Sequence, residues 1–216
     1  MICCEESKEH EESGMYFCPL FNNDHIKSFY IEKDEMYTSI KNGVKVVEFI
    51  SFKADELYFI EAKGSAPVLS EIKKPSKVYK EPRPYNEDNL EIYFQNWSPE
   101  DFEHWVKWRI KQDKMKDFFK SLYDKMNHSL NLIAAKELEI KKHLTCTIPD
   151  GIKGLISKKR IVFVLIIKSK DNAKKADYYS DILEKIEKEF ISLKQVWDIK
   201  IRIYTDEQAK KKGFIA

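Results

Sequence analysis

With 216 residues, 43% of them hydrophobic and 13% aromatic, the chain can bury one sizeable core. No apolar run approaches the roughly 20 residues that a membrane helix needs, and six glycines leave little material for long flexible linkers. The net charge of +2 excludes a strongly basic or acidic whole, yet it is unevenly spread: residues 1–40 carry nine acids against three bases, so the remainder is net basic.

The first 27 residues read as an irregular lead-in packed on the domain, with one short strand near 15–18 that Pro19 stops. They lack a basic region followed by an apolar stretch, so no secretion signal is expected and a cytoplasmic location follows. Cys3, Cys4, Cys18 and Cys146 form no C-x-x-C pair and have no histidine at zinc spacing beside them. They are expected to be reduced packing or surface residues. "VKVVEFISF" (44–52) and "ELYFIEAK" (56–63) are the clearest strand pair, and the short polar turn between them predicts an antiparallel hairpin. "EIKKPSKVYKEPRPYNED" (71–88) reads as a charged loop interrupted by three prolines.

A helix begins after Ser98: a capping hydroxyl, Pro99 in the first turn, then Glu100 and Asp101 at the positive end of the helix dipole. No Pro or Gly interrupts the chain from there to about residue 142. Phe102, Trp105, Val106, Phe118, Phe119, Leu122, Met126, Leu130 and Ile133 recur at helical spacing. A helix of that length is unusual in a globular domain, so a break is expected near 111–116. "RIVFVLII" (160–167) is a fully buried strand, "NAKKADYYSDILEKIEKEFISL" (172–193) an amphipathic helix, and "WDIKIRIYT" (197–205) a last strand. "DEQAKKKGF" (206–214) closes the chain as a short helix stopped by Gly213. This order predicts an α/β domain over 28–216, a central mixed β-sheet flanked by helices, with a long helical insertion at about 98–142.

Side chains on a strand alternate, so Leu57, Phe59, Glu61 and Lys63 share one face, and Val44, Val46, Glu48, Ile50 and Phe52 share a face of the partner. A two-residue turn at 54–55 pairs Phe52 with Leu57 and Ile50 with Phe59, and brings Glu48 opposite Glu61. Two carboxylates so placed, among apolar neighbours, repel. A shared proton, a cationic neighbour or a bound divalent metal would relieve the repulsion. Lys63 supplies part of the neutralisation, and a hard cation such as Mg²⁺ or Mn²⁺ would complete it. The plain alternative is a solvent-facing hairpin with three surface charges, which the apolar neighbours argue against.

An acid in one strand followed by E-x-K in the next resembles the core of the PD-(D/E)XK nucleases, the restriction-endonuclease-like superfamily. Glu48 in "VVEFI" matches the first acid, usually Asp; Glu61 and Lys63 match E-x-K, with Ala62 as its small middle residue. "EAKGSAP" also resembles the E-A-K-S-S-x-P wording of some bacterial members, which would set Ser65 just past the site. The superfamily often has a further acid upstream, for which Glu12 and Glu32 are the candidates. The resemblance implies a restriction-endonuclease-like fold, with Glu48, Glu61 and Lys63 catalytic and Mg²⁺ or Mn²⁺ held by Glu48 and Glu61. The implied activity is hydrolysis of phosphodiester bonds, in DNA more than RNA, by a metal-activated water. A catalytically inactive member acting as a nucleic-acid- or protein-binding module is the alternative, and a homodimer is compatible with either.

Lys73, Lys74, Lys77, Lys80 and Arg83 form the basic cluster best placed to follow a phosphate backbone; solvated loop surface is the competing reading. Tyr85, Tyr93 and Phe94 lie near it as candidate stacking residues. Trp97, Trp105, Trp108 and Trp197 read as core. His10, His25, His104, His128 and His143 are scattered, with no H-E-x-x-H, and no phosphate-binding glycine motif is present. Asn127 and Ser129 fall on a helix expected to pack on the sheet, where they would line the site or serve as helix-face polar groups.

Overall fold

The computed structural model describes residues 11–17, 20–21, 26–31, 43–53, 55–67, 97–138, 140, 154, 156, 160–168 and 176–215. Glu32, Lys73, Lys74, Lys77, Lys80 and Arg83 lie outside them, as do the four cysteines. The described strands are β1 (Glu11–Glu12), β2 (Met15–Tyr16), β3 (Leu20–Phe21), β4 (Ile26–Tyr30), β5 (Phe49–Lys53), β6 (Glu56–Lys63), β7 (Arg160–Ile167) and β8 (Ile199–Thr205). The helices are α1 (Pro99–Glu137), α2 (Ala176–Glu189), α3 (Ile191–Val196) and α4 (Asp206–Lys212). The chain divides into two units, 67–118 and the remainder, with the division falling inside α1 between Phe118 and Phe119. No helix among the described residues is long and apolar enough to cross a membrane.

The larger unit is an α/β domain built on a mixed sheet in the order β3-β4-β5-β6-β7-β8. Neighbours from β3 to β6 are antiparallel, and β6, β7 and β8 are parallel. β6 is thus the strand where the sheet changes sense, and both it and β7 are buried along nearly their whole length. The hairpin register is the expected one: Phe52 pairs with Leu57, Ile50 with Phe59, and Lys53 with Glu56 across a two-residue turn.

The sheet has two distinct faces. Tyr58, Ile60, Ala62, Val162, Val164 and Ile166 form one core cluster with Met15, Phe17, Ala209, Phe214 and Ile215, so the β1–β2 hairpin and the C-terminal segment cover that side. On the other side Phe163 meets Phe190, 5.0 Å between ring centroids, and Tyr123 of α1 meets Phe190 edge-on at 6.0 Å. Leu122, Met126, Leu130 and Ile133 give α1 a buried stripe at helical spacing.

Three expectations about the elements are corrected. α1 runs unbroken for 39 residues through 111–116, because no Pro or Gly breaks it there and pairs such as Arg109–Asp113, 3.4 Å apart, sustain its exposed flank. It starts as foreseen, with Ser98 Oγ accepting from the Asp101 amide at 3.1 Å, but ends at Glu137. The expected helix over 172–193 is α2 and α3, divided at Phe190, whose side chain is driven into the core. The strand expected over 44–52 begins only at Phe49. Upstream of it the backbone bonds to α1 instead: the Lys45 amide donates to His128 Nδ1 (3.0 Å) and the Val47 amide to Ser129 Oγ (2.9 Å).

In the smaller unit the described residues are Pro67 and 97–118. There Trp105 packs edge-on against Trp97 and stacks with Phe102, each at 6.2 Å.

Candidate functional site

Glu48 is the residue before β5, where the ladder with β6 has just ended. Its carbonyl still accepts from the Ile31 amide at 3.1 Å, which holds it at the sheet. Glu61 and Lys63 lie near the C-terminal end of β6, on the face that α1 covers. Glu48 is 1% exposed and Glu61 0%. An unpaired carboxylate at that depth would be prohibitively costly, and each one here is engaged. Glu48 Oε2 accepts from the Ala62 amide at 2.8 Å, the backbone bond that the missing ladder step would have provided. Its Oε1 faces Lys63 Nζ at 3.7 Å. Glu61 Oε1 is in close ion-pair contact with Lys63.

The fourth member of the site is Lys125, from the middle of α1. Its Nζ lies 2.9 Å from Glu48 Oε1, 2.8 Å from Glu61 Oε1 and 3.1 Å from Glu61 Oε2. Glu61 Oε1 lies within ion-pair range of both ammonium groups but off the line of a hydrogen bond from either. Two buried carboxylates thus face two lysines, of which Lys125 is 13% exposed and Lys63 27%.

The electrostatics follow from burial. Loss of solvation, reinforced by Glu61 alongside, holds the Glu48 carboxyl well above the ordinary carboxylate range, against the pull of Lys125 and Lys63. For Lys125, burial works against the charge, but Glu61 and Glu48 together outweigh it and hold the ammonium above its ordinary value. Lys125 is therefore a fixed positive charge at any physiological pH.

α1 is keyed into place beside the site. Ser129 Oγ donates to the Lys125 carbonyl at 2.7 Å and accepts from the Val47 amide, so one hydroxyl ties the helix turn bearing Lys125 to the segment bearing Glu48. Of the two polar helix residues that sequence reading placed near the site, Ser129 is thus a positioning residue, whereas Asn127 accepts from the exposed Asn131.

The remaining sequence candidates fall as follows. Glu12 ends β1, next to Ser13, whose hydroxyl donates to the Ala62 carbonyl at 3.2 Å. Ser65 is exposed, two residues past Lys63. Lys125 escaped sequence reading. Its available signal was a lysine between the buried positions Leu122 and Met126, with Ser129 one turn on.

Among the described residues no group of three or more His, Cys, Asp or Glu side chains could hold a metal ion. The pair alone offers hard carboxylate oxygens. That is a donor set Mg²⁺ accepts when water and a phosphate complete its shell, since it is often bound through one or two carboxylates. The chemistry of the pair therefore fits such a cation, with Lys125 already against both carboxylates. Comparison with family models, curated proteins and solved structures returned no match.

Proposed function

We propose that Glu48, Glu61, Lys63 and Lys125 form the centre of a phosphodiesterase, and that the sheet around them is a restriction-endonuclease-like core. The observation that carries this reading is a buried carboxylate pair joined by the lysine of an E-x-K motif at the end of a central strand. Structural ion pairs rarely place two acids and two lysines together so deep, because desolvation costs more than pairing returns. Such clusters are common where charge must be handled during a reaction. Glu48 and Glu61 would hold Mg²⁺ or Mn²⁺, which when bound polarises a phosphoryl oxygen and acidifies a water. Lys63, the more exposed lysine, is placed to orient the attacking water and to offset negative charge developing on phosphorus. The Ala62 amide fixes the Glu48 carboxylate, and the apolar strand faces exclude bulk water. The substrate is a nucleic acid, DNA before RNA, met in the cytoplasm.

Purified full-length protein should cleave DNA in the presence of Mg²⁺. Lys63→Ala should lower the rate by roughly 10²-fold or more with an unchanged circular dichroism spectrum. Undiminished cutting by that variant would remove Lys63 from the mechanism.

One observation favours a second reading, a non-catalytic nucleic-acid- or protein-binding module. Two lysines already contact the two acids without any further cation. On that reading no nucleic acid is cut under any metal condition.

A further inference from the structure

Two lysines touch the carboxylate pair, but not equivalently. Lys63 contacts Glu61 and lies 3.7 Å from Glu48, so it serves chiefly one partner. Lys125 Nζ reaches both acids within 3.1 Å, contacting Glu48 Oε1 and the two oxygens of Glu61. A cation held by the pair would need those same oxygens, where Lys125 and Lys63 already place two ammonium groups, and a further positive charge there adds strong repulsion. Lys125 carries its ammonium on a flexible four-carbon stem, so the charge can leave while the helix stays docked through Ser129.

We infer that Lys125 is the resident counter-ion of the Glu48–Glu61 pair and that a divalent cation enters the pair only by displacing its ammonium, which becomes free to bind an anion. The inference rests on the reading of Glu48 and Glu61 as cation ligands. It adds a coupling that this reading lacks. With both acids ionised and Lys125 in place, the four side chains sum to zero charge. With a divalent cation held by the acids and Lys125 released, the four groups and the cation together sum to about +2, a field suited to a phosphodiester. Cation and phosphate binding then reinforce each other, and the cation alone binds weakly because it must first break the Lys125 contacts.

The test uses Mn²⁺ alone, with no nucleic acid, titrated into the full-length wild type and Lys125→Met. The free-ion signal is read by electron paramagnetic resonance, and melting temperature is followed in parallel. Lys125→Met should bind Mn²⁺ at least tenfold more tightly than wild type. Its melting temperature should fall without metal and recover with it, and adding Glu61→Gln should abolish both gains. Equal affinity in the two proteins overturns the inference. Should Lys125→Met fold only with Mn²⁺ present, that supports it. Should it fold under neither condition, Lys125→Gln decides: a tighter Mn²⁺ affinity supports the displacement and an unchanged one overturns it. Cleavage of DNA by wild type alongside equal Mn²⁺ affinities sinks the displacement and leaves the hydrolytic reading standing. Tighter Mn²⁺ binding by the variant with no cleavage by wild type does the reverse.

Discussion

Ser129 shows how much a small side chain can carry. Its hydroxyl is fully buried, donates a hydrogen bond to the Lys125 carbonyl and accepts one from the Val47 amide. Ser129→Ala leaves that buried N–H without a partner, a loss of roughly 1–3 kcal/mol. Urea denaturation should show this cost, whereas Asn131→Ala, exposed on the same helix, should shift stability by no more than about 0.5 kcal/mol. At this scale the sequence was uneven in what it disclosed. Glu48, Glu61 and Lys63 could be brought together on paper, because strand side chains alternate and a two-residue turn fixes the pairing. Lys125 could not. It lies 77 residues from Glu48 and 64 from Glu61, and nothing local in a helix names its distant partner.

Among the elements, the β1–β2 hairpin turns on Ser13 and Gly14, both at positive φ (55° and 71°), as a type I′ turn requires. The Gly14 carbonyl also accepts from Lys168 Nζ at 2.9 Å, and a Cβ at Gly14 would stand 2.7 Å from that nitrogen. Gly14→Ala should therefore cost about 1–2 kcal/mol, mostly from the left-handed backbone, since the lysine tip can move aside. Combining it with Lys168→Ala should leave most of that loss in place. A full recovery of the melting temperature in the double variant would show that crowding, not backbone conformation, was the cause. The elements themselves were largely legible: β6, β7 and β8 follow their apolar runs, and α4 its Gly213 stop, at φ 81°, although the Thr205 capping box that starts α4 went unread. The shortened β5 depends on where its backbone finds partners across the fold, which periodicity does not record, and the unbroken α1 shows that helix length alone is no reason for a break where no Pro or Gly intervenes.

For the whole molecule, pH gives the broadest test. At the start of β6 Glu56 accepts two hydrogen bonds from Arg202, at 2.9 and 2.6 Å, and one from Tyr58. Arg202 holds the Glu56 carboxyl below its ordinary value, while burial, with Glu56 alongside, pushes the Tyr58 hydroxyl up to about 12. A carboxylate with a depressed folded-state pKa stabilises the fold above its unfolded value, near 4.3, and that contribution fades as pH falls through the folded value. Arg202→Met should thus cost roughly 1 kcal/mol at pH 7 in low salt, the cluster being partly exposed. The gap to wild type, followed by urea denaturation, should close as the pH is taken down through the carboxylate range. A gap that stays constant to pH 3 would mean that Arg202 acts through packing over the Tyr58 ring, 5.9 Å from its guanidinium, instead of through charge.

The way α1 takes over the backbone before β5 also bears on the order in which the molecule is made. The bond between Val47 and Ser129 spans 82 residues, whereas the β5–β6 turn spans two. Closing a short loop costs far less chain entropy than closing a long one, so the hairpin can form early and the helix must arrive later. The hairpin that carries Glu61, with Glu48 just before its first strand, can therefore form ahead of the Lys125 contacts. Until then the two acids have Lys63 as their companion from the strands, and the helix brings the second charge. By chain entropy, the contacts expected to form last at the centre of this protein are those of its second lysine.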